Sequence, residues 1–166
     1  GGELPGSIAN QSTQLITLPL VGNMIYGVIP EGIGNLVNLT ALVLKHNNFG
    51  GTVPDTIGKL QKLVELYLNS NKLSGPIPPS LGNLSALTNP YLDWNMFEGS
   101  TPPSLANCQF LLIIHRSHNN LSGSIPKQPL ALSSLSISLN MSHNSLTGSL
   151  PSEVGDLVNL AELDVL

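Results

Sequence analysis

Asparagine returns along this chain at a nearly constant interval, and that interval leaves few folds open. Asn23, Asn47, Asn71, Asn95, Asn119 and Asn144 each follow an L-x-L-like stretch, at spacings of 24, 24, 24, 24 and 25 residues. Prolines keep step at Pro5, Pro30, Pro54, Pro78, Pro102, Pro126 and Pro151. A glycine precedes each of the last six by three residues: Gly27, Gly51, Gly75, Gly99, Gly123 and Gly148. Three residue types sharing one period mark a chain of stacked structural units.

The cleanest unit runs from Leu63 to Ala86 and reads roughly L-x-x-L-x-L-x-x-N-x-L-x-G-x-I-P-x-x-L-G-x-L-x-x. Its L-x-L part alternates apolar and variable positions, which predicts a short strand with one buried face. Stacked units pair such strands in parallel about 4.8 Å apart, so seven of them span roughly 30 Å. A single unit cannot bury its own leucine face; only stacking makes the core continuous. The periodic Asn is placed where the chain turns, and its amide can satisfy backbone groups there and pass hydrogen bonds between units. The Gly-x-Ile-Pro stretch returns in extended form, and Leu-Gly-x-Leu has room for only a turn or two of 3-10 or α structure.

Composition agrees with a buried aliphatic core. Of 166 residues 31 are leucine, 41% are hydrophobic, 4% aromatic and 10% charged. That hydrophobicity excludes a disordered tail. Six Lys and Arg against ten Asp and Glu cannot form a phosphate-tracking stripe, so nucleic acid is not a partner. The single Cys108 excludes a disulfide scaffold and an all-cysteine zinc site; a buried, inert thiol is expected. No apolar run has the length of a membrane span or signal core.

The wording N-x-L-S-G-x-I-P-x-x-L-G-N-L at Asn71–Leu84 resembles the plant-specific class of extracellular leucine-rich repeats. The stretches Leu132–Asn144 and Gly148–Asp164 resemble late repeats of plant leucine-rich-repeat receptor kinases, in the branch holding the elongation-factor and flagellin immune receptors. The resemblance implies an α/β leucine-rich-repeat solenoid of about 24-residue plant-type repeats. Short parallel strands would line a concave face, with 3-10 or short helices and extended segments elsewhere. One domain over 1–166 is expected, an uncapped fragment of about six full repeats with partial repeats at both ends. A signal peptide, a membrane span and any kinase would lie outside it.

Some positions break the internal pattern. Pro90 stands where other units place the first strand leucine and removes a ladder donor. Arg116 stands where a buried aliphatic is expected, at the cost of burying a charge. Thr101 replaces the Ile before Pro102, and Gln11 replaces a core Leu. One reading is local re-registering, with Arg116 snorkelling outward over Ile113 and Ile114; the other is a gene copy drifting from function. Under either, the fourth and fifth rungs are the weakest.

The variable strand positions nominate the ligand-binding residues Glu65, Tyr67, Tyr91, Asp93, Trp94, His115 and His118 on the concave face. Tyr67 and Tyr91 share a column on adjacent rungs with Trp94 beside them, and exposed aromatics are preferred anchors for protein and peptide ligands. The bland alternative is that aromatics merely cover a shallow groove. His46, His118 and His143 share the column before the periodic Asn, so they lie side by side instead of converging as a metal needs. No cofactor, metal or catalytic residue is expected: a G-x-S-x-G elbow, paired carboxylates and a phosphate loop are all missing from the sequence. Five N-glycosylation sequons begin at Asn10, Asn38, Asn83, Asn120 and Asn140 and together favour secretion. A glycan on Asn140 would stand on the strand face, so Asn38 and Asn83 are the expected sites of use.

The sequence thus points to the ligand-recognition segment of a plant cell-surface receptor kinase. Its partners would be a peptide, protein or cell-wall-derived ligand and a co-receptor ectodomain, with membrane contact only through a downstream span. The alternative is a secreted inhibitor of microbial cell-wall hydrolases or a kinase-less receptor-like protein.

Overall fold

The computed structural model describes residues 1–10 and 14–165. Gln11 and Ser12, the second and third members of the first sequon, lie outside the described residues. In chain order the strands are β1 (Gly2–Glu3), β2 (Thr17–Pro19), β3 (Ile25–Val28), β4 (Ala41–Val43), β5 (Asn48–Gly51), β6 (Glu65–Tyr67) and β7 (Lys72–Pro76). They continue as β8 (Asn89–Tyr91), β9 (Met96–Gly99), β10 (Ile113–His115), β11 (Asn120–Gly123), β12 (Ser138–Asn140), β13 (Ser145–Leu146) and β14 (Glu162–Asp164). The L-x-L strands form one parallel sheet in the order β14-β12-β10-β8-β6-β4-β2. The extended segments after each periodic Asn do more than return: they form a second parallel sheet, β1-β3-β5-β7-β9-β11-β13. The molecule is a leucine-rich-repeat solenoid with two sheets.

Register follows the repeat. Leu18 pairs with Leu42 and Leu42 with Leu66, each offset by one unit, so leucine lies on leucine. The inward side chains Leu42, Leu44, Leu63, Leu66 and Leu68 are completely buried. Each such burial contributes about 2 kcal/mol. Phe49 and Phe97 fill the same core from the second sheet.

Each unit closes through a short helix. Pro30, Pro54, Pro78, Pro102 and Pro151 sit just before 3-10 turns of five residues, their φ near the value the pyrrolidine ring imposes. Inside these turns Gly34, Gly58 and Gly82 allow adjacent rungs to touch. A Cβ on them would come 2.3, 2.7 and 2.4 Å from the carbonyl oxygens of Thr56, Ser80 and Ser104. The next residue in that column is Ala106, and the turn stacked after it is the α-helix α1 (Lys127–Leu130). The extra residue of the one 25-residue spacing in the strand sheet falls between His115 and Asn140, in the segment carrying α1.

The two pattern breaks resolve differently. Pro90 keeps its place in β8, opposite Leu66 and buried. Its missing N–H shows on the other side: β8 pairs with β10 at Tyr91↔His115 alone, against three pairs between β6 and β8. Arg116 neither shifts the register nor snorkels. Ile113, Ile114 and His115 pair with Ser138, Leu139 and Asn140 as the repeat dictates, and Arg116 is 2% exposed. Its Nη2 donates to Met141 Sδ at 3.2 Å, while Nε and Nη1 have no partner. The side chain is locked inward because its backbone belongs to a continuous ladder, Arg116 N–H donating to Asn140 O at 2.9 Å.

Candidate ligand-binding face

Side chains flanking each inward leucine point away from the core, and repetition stacks them in columns across the strand sheet. In one column the Tyr67 and Tyr91 rings stack at 4.7 Å with 13° between planes, and His115 meets Tyr91 edge-on at 5.1 Å. In another, Trp94 stacks on His118 at 3.7 Å and His118 on His143 at 4.1 Å. Asp93 belongs to the column between, with Asn69 one unit before it and Ser117 one unit after. The face is therefore a trough with two ring ladders for walls and a polar floor. Six of the seven nominated residues form it, and Glu65 borders it on β6.

The second ladder rests on an unusual backbone. His46, Ser70, Trp94, His118 and His143 all have φ between 53 and 58 or, for His118, 52. This left-handed region is uncommon for bulky side chains. It supplies the sharp turn that swings the chain from the strand into the periodic Asn. Repetition of that turn stacks the rings one above another.

The periodic asparagines hold the turns. Asn71 Nδ2 donates to Leu44 O and Leu68 O, each at 3.0 Å, and its Oδ1 accepts from Phe49 N–H at 3.0 Å. Asn95, Asn119 and Asn144 repeat the pattern, their oxygens accepting from Leu73, Phe97 and Leu121 N–H. Asn47 does so toward Asn23 and Ile25 N–H, whereas among the described residues Asn23 Nδ2 donates locally, to Val21 O.

Electrostatics concentrate on the trough. Burial pushes the Asp93 carboxyl above its ordinary value, opposed by its own backbone hydrogen bond and by attraction to His115, His118 and His46. Burial likewise raises the Tyr67 and Tyr91 hydroxyls, helped for Tyr67 by Glu65 and for Tyr91 by Asp93. His115 Nε2 lies 2.8 Å from Ser138 Oγ, and that hydroxyl donates to Glu162 Oε2 at 2.8 Å. Because the single hydroxyl proton is committed to the carboxylate, His115 is the donor in its own bond. Lys45 Nζ lies 5.2 Å from the centre of the Tyr67 ring.

The repeat period places Lys45, Asn69, Asn89, Ser138 and His143 on the strand face without singling them out as ligand contacts. Glu162 is the one it passed over, although it lies one unit after Ser138. Their orientation was not available from spacing. The His118 and His143 rings lie face to face, so their in-plane lone pairs do not converge, and no cluster able to hold a metal occurs among the described residues. Of the sequons, Asn10, Asn83 and Asn120 are exposed and Asn38 is half-buried, accepting from Lys62 Nζ at 2.6 Å. Asn140 Oδ1 accepts from the N–H and Oγ of Ser142, the third residue of its own sequon. Cys108 is fully buried, its thiol pushed up to about 11 by burial. A concavity of about 800 Å³ lies elsewhere, between residues 124–128 and 148–152.

Family models described as leucine rich repeat match residues 37–97 and 137–157. The solved BIR2 ectodomain from Arabidopsis thaliana is 30% identical, with a TM-score of 0.74 over 84% of this chain and 72% of that one. The chain belongs to the leucine-rich-repeat family. Within that family it is similar to plant receptor-kinase ectodomains. The Arabidopsis receptor kinase HAESA, solved with the peptide hormone IDA and the co-receptor SERK1, matches at 33% identity and a TM-score of 0.92. That match covers 99% of this leucine-rich-repeat chain and 27% of HAESA's. The Arabidopsis thaliana LRR receptor-like serine/threonine-protein kinase EFR is 60% identical over 45 residues, which are 27% of this chain and 4% of that protein. The chain thus spans a small part of HAESA and of EFR, and most of the BIR2 ectodomain. Among the described residues no helix is long and apolar enough to cross a membrane.

Proposed function

We propose that this leucine-rich-repeat chain recognises an extended peptide or protein ligand on its strand face, as part of a plant cell-surface receptor acting with a co-receptor ectodomain. The observation that carries the reading is the trough: two stacked ring ladders flanking a polar floor, open to solvent, with Trp94 56% exposed. Aromatic anchors beside hydrogen-bonding groups are what peptide-binding surfaces concentrate. HAESA, similar over nearly the whole of this chain, is solved with a peptide hormone and a co-receptor, which supports the same use here. The segment performs no chemistry on its ligand. It works outside the cell, where Asn38 and Asn83 carry glycans and Asn140, held by Ser142 at the edge of the trough, does not.

Panning the whole chain against a random nonapeptide library tests this. Enriched peptides are expected, and Trp94→Ala should weaken them by about tenfold, the effect of losing one aromatic anchor. The exposed Lys72→Ala on the second sheet should leave them unchanged. An empty selection, or peptides indifferent to Trp94→Ala, overturns the reading.

A further inference from the structure

One ring ladder of the trough is interrupted. Its column runs His46, Ser70, Trp94, His118 and His143, and all five residues have φ between 52 and 58°. Equal backbone geometry sends the five side chains out the same way, one per rung. Four of them are rings and Ser70 carries only a hydroxymethyl group. A slot one rung wide therefore opens between His46 and Trp94.

Trp94 fixes one wall of that slot. Its ring centroid is 3.7 Å from that of His118, with 16° between planes. This is the contact distance of directly superposed carbon atoms, so the two rings lie face on face along the column. The other face of the indole is thereby turned toward the rung of Ser70, and Trp94 remains 56% exposed although His118 covers one side. The backbone holds the walls apart. Ser70 N–H donates to Asp93 O at 3.0 Å, and Ser70 O accepts from Asn47 N–H at 3.2 Å. The serine rung is tied on both sides, so the slot cannot close by sliding. Its width matches one ring: neighbours in this column stack at 3.7 and 4.1 Å, and two rungs at about 4.8 Å each leave room for a single flat group between two others.

We propose that the slot at Ser70 takes an aromatic side chain of the ligand, a phenylalanine, tyrosine or tryptophan ring inserted between Trp94 and His46. The proposal rests on the peptide-ligand reading and specifies which side chain anchors the peptide. An aromatic ring gains on both faces, each ring pair contributing beyond the area it buries. Trp94 is already oriented by His118, so little side-chain freedom is lost when the ligand ring enters. A branched aliphatic side chain is thicker than the step and gains area alone. A pyranose chair is thicker too, and Ser70 offers one hydroxyl at the base of the slot to its several.

Trp94 is the only tryptophan and forms a wall of the slot, so its fluorescence reports on the site directly. The whole chain is titrated with N-acetyl-phenylalanine amide to about 30 mM, a range suited to single-group affinities. N-acetyl-leucine amide is the aliphatic reference and glucose the sugar reference. A saturable response to the phenylalanine probe is expected, with the leucine probe at least about fivefold weaker, the scale of a ring contact. Ser70→Tyr should abolish the response, because the new ring occupies the step itself. Bulky residues hold the same φ at positions 46, 94, 118 and 143, so the backbone accepts the change, and a cooperative melting transition verifies the fold. His46→Ala, at an exposed position, removes the other wall and should weaken the probe about threefold.

No saturable response, equal responses to the phenylalanine and leucine probes, or a response left intact by both variants overturns the aromatic slot. A saturable response to glucose in place of phenylalanine overturns it equally and assigns the slot to a sugar. The nonapeptide selection keeps the two readings apart. An empty selection beside a phenylalanine response that Ser70→Tyr abolishes overturns the peptide reading alone. Enriched, Trp94-dependent peptides without aromatic residues overturn the slot alone.

Discussion

At position 116 the chain puts a guanidinium into a column that Leu44, Leu68, Leu92 and Met141 fill on the other rungs. Complete burial lowers its proton affinity to about 10, so it stays charged throughout the neutral range and its cost is fully present there. One weak bond to a thioether sulfur and two unpartnered nitrogens leave that charge largely uncompensated. Replacing an unsatisfied buried ion with an apolar side chain stabilises proteins by about 1–4 kcal/mol. Arg116→Leu should accordingly raise unfolding stability by about 3 kcal/mol in urea titration at neutral pH. No gain would mean that the guanidinium is satisfied. The position was legible as an anomaly because the repeat names its expected occupant. The direction of the side chain was not, since snorkelling and burial depend on whether the backbone can shift, and the paired ladder forbids it. The trough shows the same division. Tyr67, Tyr91 and Trp94 were readable as neighbours from the period, whereas the relay from His115 through Ser138 to Glu162 depends on rotamers that no spacing encodes.

Within one repeat, the short helix is the most tightly constrained element. Gly58 stands where an added methyl would meet Ser80 O at 2.7 Å and Ser80 Cβ at 2.8 Å, both part of the next rung. Neither can yield without opening the stack, and overpacking of this kind costs about 1–3 kcal/mol. Gly58→Ala should therefore lower stability by about 2 kcal/mol in denaturant titration. The same change at Gly155, which meets nothing within 4 Å, should cost little. Equal effects at the two sites would remove rung contact as the reason for the glycine column. The L-x-L strands and the proline-led turns were both readable from their own residues. The second sheet was not, because Gly and polar residues such as Asn48–Gly51 carry no alternation. They become strands only because the neighbouring rung offers the matching backbone at the right height.

Across the whole molecule, stability is a sum over rungs and the interfaces between them, so a weak interface can open without the rest. Pro90 creates such an interface. On its β6 side the ladder is complete, Glu65, Leu66 and Tyr67 facing Asn89, Pro90 and Tyr91. On its β10 side only Tyr91↔His115 remains, although Leu92 N–H still reaches His115 O at 2.9 Å and Leu112 N–H reaches Thr88 O at 3.0 Å. The next rung adds the buried Arg116, so two unfavourable positions adjoin one seam. The Tyr91–His115 and Trp94–His118 ring contacts cross that seam and support it from the trough side. Native-state hydrogen exchange should reveal the difference. The amides of Leu42, Leu44, Leu66 and Leu68 should be the slowest, and those of Leu92, Ile113 and Trp94 should exchange at least about tenfold faster, consistent with a sub-global opening. Pro90→Leu restores the leucine that the repeat expects and the missing donor, and should bring the two groups of amides together. Uniform protection in the parent would mean that the ring ladders compensate fully for the lost bond. A ligand bridging the ladders would then have no seam left to tighten.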